Sequence, residues 1–314
     1  MGRQFRDVKI VAVIPAKAGT QRLQTRRSQV AGFPPSRERR FSVFLKKTGI
    51  GMHAALFNGR PANVDELRAL ALVNYGHFTS MQVRDRAVQG LELHRKRLEA
   101  ATRELFGAEL DFPSVREQMR QAIADSPDCT LRATVFSRSF DYRKPTGSFA
   151  PEVLISLSPP ASSSARALRV KSFEFQRPFP HIKHVGTFPL FHYRRLALGQ
   201  GYDDALFVDG QGRVSEGSVW NLGLWDGAQI VWPEAPALRG TSEQLLQAGL
   251  RESGVAQVVR RIRLPDLGGF RAAFTSNASG IQSIASIDET EFEADPKLSS
   301  ILQKALETQA WQAL

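Results

Sequence analysis

The chain has 314 residues, of which 42% are hydrophobic and 23% charged, values ordinary for a globular protein of one large or two smaller domains. No apolar run reaches the roughly 18 residues of a membrane-spanning helix, and the single cysteine, Cys129, excludes an internal disulfide framework and fits a cytoplasmic protein. The net charge of +11 is typical of nucleic-acid-binding proteins, but its distribution favours another explanation.

The positive charge is concentrated in residues 1–51. This segment holds twelve Lys and Arg residues against two acids, so it carries ten of the eleven net charges. It combines short apolar pieces with turn-forming residues and lacks helical periodicity, which predicts a disordered or wrongly assigned extension with Met52 as the true start. A targeting peptide and a nucleic-acid-binding arm are the alternatives. The rest of the chain is nearly neutral, so its composition does not favour a nucleic-acid partner.

From residue 52 onward, helical and strand-like patterns alternate. Apolar residues recur at spacings of three and four over residues 91–106, which predicts an amphipathic helix. Pro113 suits the first turn of another helix over 113–124. A further helix is expected at 64–72, and strands are expected at 53–57, 78–83, 131–137 and 152–157. The two helices at 91–106 and 113–124 are followed by two strands, and this order indicates an α+β layer.

A polar, Pro-rich segment at 158–166 predicts a linker between two domains. Residues 52–157 would then form a small domain and residues 167–314 a larger one. In the second half, Asp226-Gly227 and the turn residues at 209–212 predict hairpins. Strands are expected at 204–208, 213–215, 219–225, 228–232, 255–262 and 272–275. A helix is expected at 241–250, because Thr241 and Gln244 have the spacing of a capping box.

Several residues could bind an anion or react, although each one alone has an ordinary structural explanation. The helix N-terminus at Thr241, preceded by Gly240, offers free N–H groups to an anion, but it also suits a plain cap. Arg97 lies beside the apolar stripe of the 91–106 helix, where it would either need an anionic partner or extend to solvent. Asn277 begins a loop whose N–H groups could contact a phosphate. Lys183 would become nucleophilic if buried.

The order and spacing of these residues resemble one known family. Lys183 and Glu216 are 33 positions apart, as expected for the class IV aminotransferases, which include branched-chain aminotransferases, D-amino-acid aminotransferases and aminodeoxychorismate lyase. The resemblance extends from about residue 52 to 288 and does not cover residues 1–51. The segments that carry it most strongly are Ile182-Lys183-His184, residues 201–209, residues 212–217 and Trp220-Asn221-Leu222.

The resemblance implies a homodimeric enzyme of pyridoxal-phosphate fold type IV, with a small N-terminal α/β domain and a larger, β-rich C-terminal domain. It implies that Lys183 holds pyridoxal 5'-phosphate as a Schiff base and serves as general base and acid. Glu216 would pair with the pyridine nitrogen and keep it protonated. The residues implied to bind the cofactor phosphate are Arg97, in the motif His94-x-x-Arg97-Leu98, with Gly240, Thr241, Ser242, Asn277 and Ala278.

The implied reaction moves an amino group between an amino donor and a 2-keto acid. By the same resemblance, Tyr75, Phe78 and Arg132 are candidate substrate contacts, with Arg132 on a strand where outward exposure is the alternative. A lyase of the aminodeoxychorismate type is a second possibility, and a cofactor-binding protein without turnover is a third. A nucleic-acid-binding protein acting through residues 1–51 is the alternative from another class.

One departure from the branched-chain enzymes concerns a tyrosine that follows the lysine. Those enzymes carry a tyrosine hydroxyl that reaches the cofactor, whereas the equivalent residue here is Phe188. Thr187 and Tyr193 are the candidate replacements. The pair Lys183-His184 is also closer to the lyase-like members of the family, so the sequence leaves aminotransfer and lyase chemistry both open.

Overall fold

The computed structural model describes residues 55–162 and 164–314. The predictions made for residues 1–51, and for the start of the strand at 53–57, lie outside the described residues. The described residues fall in one compact unit that contains two main sheets, joined by the segment 159–167. The division into two domains stays a prediction. No helix in the described ranges combines the length and apolar character that crossing a bilayer requires.

The first sheet has five antiparallel strands in the order β2-β1-β6-β5-β3. Its strands are β1 (Ala55–Phe57), β2 (Arg60–Pro61), β3 (Gly76–Val83), β5 (Cys129–Phe136) and β6 (Glu152–Ser158). The helices of this layer are α1 (Val64–Val73), α2 (Leu91–Phe106) and α3 (Phe112–Ala122). A short strand, β4 (Ala87–Gln89), precedes α2.

The helix predicted at 91–106 is confirmed with the same bounds. Its apolar face includes Leu98, which is fully buried in the core between this helix and the first sheet. The helix ends at Gly107, whose left-handed backbone lets its N–H bond to the carbonyl of Arg103. One side of α2 is therefore fixed against the sheet, and Arg97 lies at the edge of that buried side.

The second sheet has nine strands and is mostly antiparallel. Strand β9 pairs with β10 as well as with β8, so the six strands β10-β13-β14-β7-β8-β9 close into a ring. The strands are β7 (Leu168–Glu174), β8 (Asp204–Val208), β9 (Val214–Gly217), β10 (Asn221–Trp225), β11 (Ile230–Pro233), β12 (Gln257–Arg260), β13 (Ala272–Asn277), β14 (Gly280–Ile287) and β15 (Thr290–Glu291). Its helices are α4 (Phe188–Gly199), α5 (Thr241–Glu252) and α6 (Pro296–Glu307).

Two features differ from the sequence expectations. The prediction of a capping box at Thr241 is wrong, because Gly240 is the N-cap of α5 and no side chain among the described residues caps the helix. The side chain of Gln244 instead donates to the carbonyls of Arg239 and Gly240. The second feature is a C-terminal strand, β16 (Trp311–Ala313), which pairs with β4 and so joins the layer of the first sheet.

Candidate active site

A cavity of about 320 Å³ is lined by residues of both sheets. It collects side chains from α2, β3 and β5 on one side, and from β9, the start of α5 and the loop after β13 on the other. Ten of the eleven site residues expected from the sequence line it: Phe78, Arg97, Arg132, Lys183, Glu216, Gly240, Thr241, Ser242, Asn277 and Ala278.

The backbone of Lys183 is held against the first sheet. The N–H of Phe78 donates to the carbonyl of Lys183 at 2.9 Å, and the N–H of Val185 donates to the carbonyl of Gly76 at 3.0 Å. Gly76 has no room for a side chain, because a Cβ there would lie 2.5 Å from the carbonyl oxygen of Val135. This close packing directs Lys183 into the cavity, with its Nζ 4.9 Å from the centre of the Phe78 ring.

The electrostatics of the cavity make Lys183 an unusual lysine. Burial, together with the positive charges of Arg97 and Arg177, lowers its pKa to about 7, while the charge of Glu216 opposes the change. A large fraction of the Lys183 side chains is therefore neutral near pH 7. A neutral amine in a confined cavity is a nucleophile and a base.

Glu216 forms a buried ion pair with Arg177. The Nε of Arg177 donates to Oε1 of Glu216 at 3.0 Å, and both side chains are almost inaccessible to solvent. Burial raises the pKa of Glu216, and the charge of Arg177 acts in the opposite direction. Sequence reasoning missed Arg177, because an arginine between Gln176 and Pro178 has no feature that distinguishes it from a surface residue.

The end of the cavity near Arg97 is strongly cationic. Burial, followed by the charge of Arg177, lowers the pKa of Arg97 to about 10, so it stays charged at neutral pH. Its Nη2 donates to the carbonyl of Arg239 at 2.7 Å. Within residues 55–162 and 164–314, no carboxylate forms an ion pair with Arg97, Arg132 or Lys183. A buried cation without a counter-charge is costly, so this end of the cavity fits an anionic ligand.

His94, which precedes Arg97 in the same motif, does not add to the positive charge of the cavity. His94 is buried, and its Nδ1 lies 2.6 Å from Oγ1 of Thr79. Burial, followed by the charges of Arg97 and Lys183, lowers its pKa to about 3. His94 is therefore neutral, and it anchors this turn of α2 to strand β3.

The N-terminus of α5 meets the same end of the cavity. Thr241 lines it, and Oγ1 of Thr241 is buried without a hydrogen-bond partner in the described structure. The hydroxyl of Ser242 donates to the carbonyl of Asn277 at 2.6 Å, which ties the helix to the loop after β13. A helix end whose N–H groups are uncapped by side chains, beside an unpartnered hydroxyl, suits a phosphate.

The opposite wall of the cavity is less tightly bonded. The guanidinium of Arg132 lies 3.5 Å from the centre of the Phe78 ring, and its Nε donates to Thr134 at 3.3 Å. Burial lowers the pKa of Arg132. Trp311, on the C-terminal strand, also lines the cavity and is 48% exposed.

The sequence model of the family described as amino-transferase class IV matches residues 76–287, which is more than half of the chain. The chain belongs to this family. It is therefore a pyridoxal-phosphate-dependent enzyme, and its two sheets with flanking helices have the fold of type IV enzymes of this cofactor. No curated protein matches the chain in sequence.

Solved structures share the fold at low sequence identity. A branched-chain aminotransferase from Thermoproteus uzoniensis is 19% identical with a TM-score of 0.71, over 81% of this chain and 93% of that one. A hypothetical aminotransferase from Mycobacterium tuberculosis in its PLP-bound form is 20% identical with a TM-score of 0.67, over 80% and 96%. A putative 4-amino-4-deoxychorismate lyase from Legionella pneumophila is 20% identical with a TM-score of 0.68, over 77% and 94%.

The cavity residues of this class IV enzyme fit the cofactor. Among the described residues, Arg97 has no carboxylate partner and the hydroxyl of Thr241 has no hydrogen-bond partner, and both groups suit its phosphate. The carboxylate of Glu216 suits a protonated ring nitrogen, and Lys183 supplies an amine. Gly240 lets the backbone approach a ligand closely, since a Cβ there would lie 2.2 Å from Oδ1 of Asn221.

Two aromatic residues considered from the sequence lie away from this cavity. Tyr75 was expected to contact the substrate, but it packs against the core of the first layer. Its hydroxyl donates to the carbonyl of Leu105 at 3.0 Å, and its ring stacks on Phe140. Phe188 is 75% exposed.

The two hydroxyl residues considered as replacements for the missing tyrosine also differ in position. Tyr193 packs against Phe173, Phe175 and Phe207 and does not line the cavity, whereas Thr187 does. Among the candidates, Thr187 is therefore the one whose position is compatible with a cofactor contact.

Proposed function

We propose that this enzyme is an aminotransferase that moves an amino group between an amino donor and a 2-keto acid, with Lys183 as the residue attached to the cofactor. The observation that carries the proposal is that Lys183, with a pKa of about 7, shares one cavity with Glu216. When bound, pyridoxal phosphate supplies a ring that accepts electrons from the substrate Cα.

In this proposal, each residue has a defined task. Lys183 Nζ is the base that takes a proton from the substrate Cα and gives it back, since a neutral amine with a pKa near the working pH suits both directions. Glu216 would hold the ring nitrogen in its protonated form, and Arg177 orients the Glu216 carboxylate and opposes the rise in its pKa. Residues at the cationic end of the cavity bind the phosphate: Arg97, Gly240, Thr241, Ser242, Asn277 and Ala278.

The substrate carboxylate is assigned to Arg132. Its guanidinium is partly buried, lines the cavity and forms no ion pair within the described ranges of the chain. The guanidinium of Arg132 packs on the face of the Phe78 ring in a cation–π contact. An incoming carboxylate would provide the counter-charge that Arg132 lacks.

Lyase chemistry is the second candidate, because Phe188 removes the tyrosine typical of branched-chain enzymes and His184 follows the lysine. The two reactions share the same Lys183 base and differ in what leaves the substrate. They are distinguished by product: an aminotransferase leaves the amino group on the cofactor and releases a keto acid, whereas a lyase acting on aminodeoxychorismate releases pyruvate and leaves the cofactor unchanged.

The experiment begins with the full chain incubated with pyridoxal phosphate, reduced with borohydride and digested for peptide mass spectrometry. We expect the peptide that contains Lys183 to carry the added mass of the reduced cofactor. Amino donors are then added one at a time to the unreduced enzyme, and conversion of the cofactor to its amine form is followed by absorbance. Cofactor that attaches elsewhere, or no conversion with any donor, contradicts the proposal.

A homodimer and a cytoplasmic location complete the proposal. Large apolar side chains on and beside α4 are exposed, and they would be covered in a dimer: Phe179, Phe188, Phe191 and Leu198. The single cysteine is unpaired, which agrees with a reducing compartment. Light scattering of the purified enzyme tests the dimer, and a mass equal to one chain contradicts it.

A further inference from the structure

Asn221 is the first residue of β10 and is buried beside the cavity. It is the register partner of Glu216 on the neighbouring strand β9. Its side-chain amide spans the turn that precedes α5: Nδ2 donates to the carbonyl of Leu238 at 2.7 Å, and Oδ1 accepts from the N–H of Gly240 at 3.1 Å. One side chain thus satisfies both ends of the turn.

The three residues of this turn each reach a different part of the cofactor site. The backbone of Leu238 acts to lower the pKa of the Glu216 carboxylate, the carbonyl of Arg239 accepts from Arg97, and Gly240 begins the phosphate-facing helix. The turn therefore connects the residue proposed for the ring nitrogen with the residues proposed for the phosphate.

The distance between Asn221 and the turn is also fixed sterically. A Cβ at Gly240 would lie only 2.2 Å from Oδ1 of Asn221, so the amide and the backbone are in direct contact. An orientation set by two hydrogen bonds and a steric contact leaves little freedom for the helix end to move relative to strand β9.

We infer that Asn221 is a positioning residue that holds the Glu216 carboxylate and the phosphate-binding helix end at one separation, matched to a ring that carries its phosphate. This inference rests on the proposed function, because it takes pyridoxal phosphate as the ligand. Asn221 lines the cavity, but both polar atoms of its amide bond to the turn, so it acts through the turn on the groups that hold the cofactor. Loss of the amide should therefore weaken the phosphate contribution to binding more than the ring contribution.

The test compares dissociation constants for pyridoxal phosphate and for pyridoxal, which lacks the phosphate, in the full-length protein. In wild type we expect the phosphate to tighten binding strongly. The quantity compared is the dissociation constant for pyridoxal divided by that for pyridoxal phosphate. In Asn221→Ala this ratio should fall about tenfold, as expected for the loss of well-placed hydrogen bonds. Asn221→Ser, which keeps a polar group but is too short to span the turn, should give a similar ratio if the alanine variant folds poorly.

Gly240→Ala supplies a second measurement. In the wild-type background the added methyl group collides with Asn221 and should lower the same ratio. In the Asn221→Ala background the collision is removed, so the double variant should be no worse than Asn221→Ala alone. Additive losses would contradict direct contact between these residues as the cause.

Gln257→Ala is the matched control. Gln257 also bridges two groups with its amide, accepting from Trp232 Nε1 and donating to the carbonyl of Gln247, but it lies outside the cavity. It should lower thermal stability and leave the ratio within about twofold of wild type. Asn221→Ala with a wild-type ratio overturns the inference alone. A wild-type protein that binds pyridoxal phosphate no more tightly than pyridoxal overturns the inference and the proposed function together.

Discussion

The two walls of the cavity are built differently. On the cofactor side, hydrogen bonds of 2.6–3.1 Å join Glu216 to Arg177, the Leu238–Gly240 turn to Asn221, and the start of α5 to Asn277. On the outer side, Arg132 is held by one ring face and a hydrogen bond of 3.3 Å, and Trp311 is about half exposed.

This difference suits the two ligands of the proposed reaction. A cofactor keeps one shape through every turnover, and a rigid site reduces the entropy lost when it binds. Amino donors and keto acids enter and leave at each cycle, and a less constrained wall can adapt to them. The comparison predicts that substitutions on the first wall change cofactor binding and those on the second change substrate kinetics.

The largest effect is expected for Lys183→Ala. Loss of the base should reduce the rate of the donor half-reaction by about 10²–10⁴-fold, the usual contribution of general acid–base catalysis, and should abolish cofactor attachment. Stopped-flow absorbance measures the rate and mass spectrometry the attachment. Lys96→Ala, on the exposed surface of α2, is the control and should behave as wild type. A Lys183→Ala enzyme with more than a tenth of wild-type activity would argue against the assignment.

The next test compares substitutions of two arginines, one on each wall of the cavity. Arg97→Gln should weaken pyridoxal phosphate binding about 10–100-fold, because one hydrogen bond to a charged group contributes about 1.5–3 kcal/mol. Arg132→Gln should raise KM for the amino donor by a similar factor and leave cofactor affinity unchanged. Equilibrium binding and steady-state kinetics on both variants check this. If Arg132→Gln also weakened cofactor binding, the two walls would not have the separate roles proposed for them.

The pH dependence of cofactor attachment sharpens the comparison further. The pKa of Lys183 is lowered to about 7, so the amine is protonated and unreactive below that pH and neutral above it. The rate of attachment to the cofactor-free protein should rise with a midpoint near pH 7 and fall about tenfold per pH unit below it.

The two arginine variants supply the contrast for this pH profile. Since Arg97 is a larger cause of the lowered pKa of Lys183 than Arg132, Arg97→Gln should move the midpoint to higher pH by more than Arg132→Gln does. A midpoint near 10 in the wild type would show that the cavity does not depress the pKa of the lysine.

The smallest effect is expected at Trp311. Trp311→Ala should lower kcat/KM for aromatic amino donors about 2–10-fold relative to aliphatic ones, since an aromatic contact contributes about 0.5–1.5 kcal/mol. Trp311→Phe should retain most of the preference, and neither variant should alter cofactor affinity. Equal losses for aromatic and aliphatic donors would mean that Trp311 shapes the cavity without contacting the substrate side chain.

Local sequence patterns determined much of the fold of this protein. The helix at Leu91–Phe106 was predicted with the observed bounds, because its apolar spacing and the following Gly107 act within one or two turns. The hairpin at Asp226-Gly227 joins β10 and β11, as the turn residues indicated. The family resemblance selected ten of the cavity-lining residues, since the spacing from Lys183 to Glu216 is itself a sequence property.

Only the tertiary structure decided which long-range partners these residues have. Arg177 and Asn221 bond to residues 39 and 17–19 positions away along the chain, and no local sequence pattern indicates such pairs. The same reason explains the strand at Trp311–Ala313, whose partner β4 lies more than 200 residues earlier. A sequence pattern records a residue's own neighbours along the chain, whereas the separation of two cavity walls is set by the packing of distant segments.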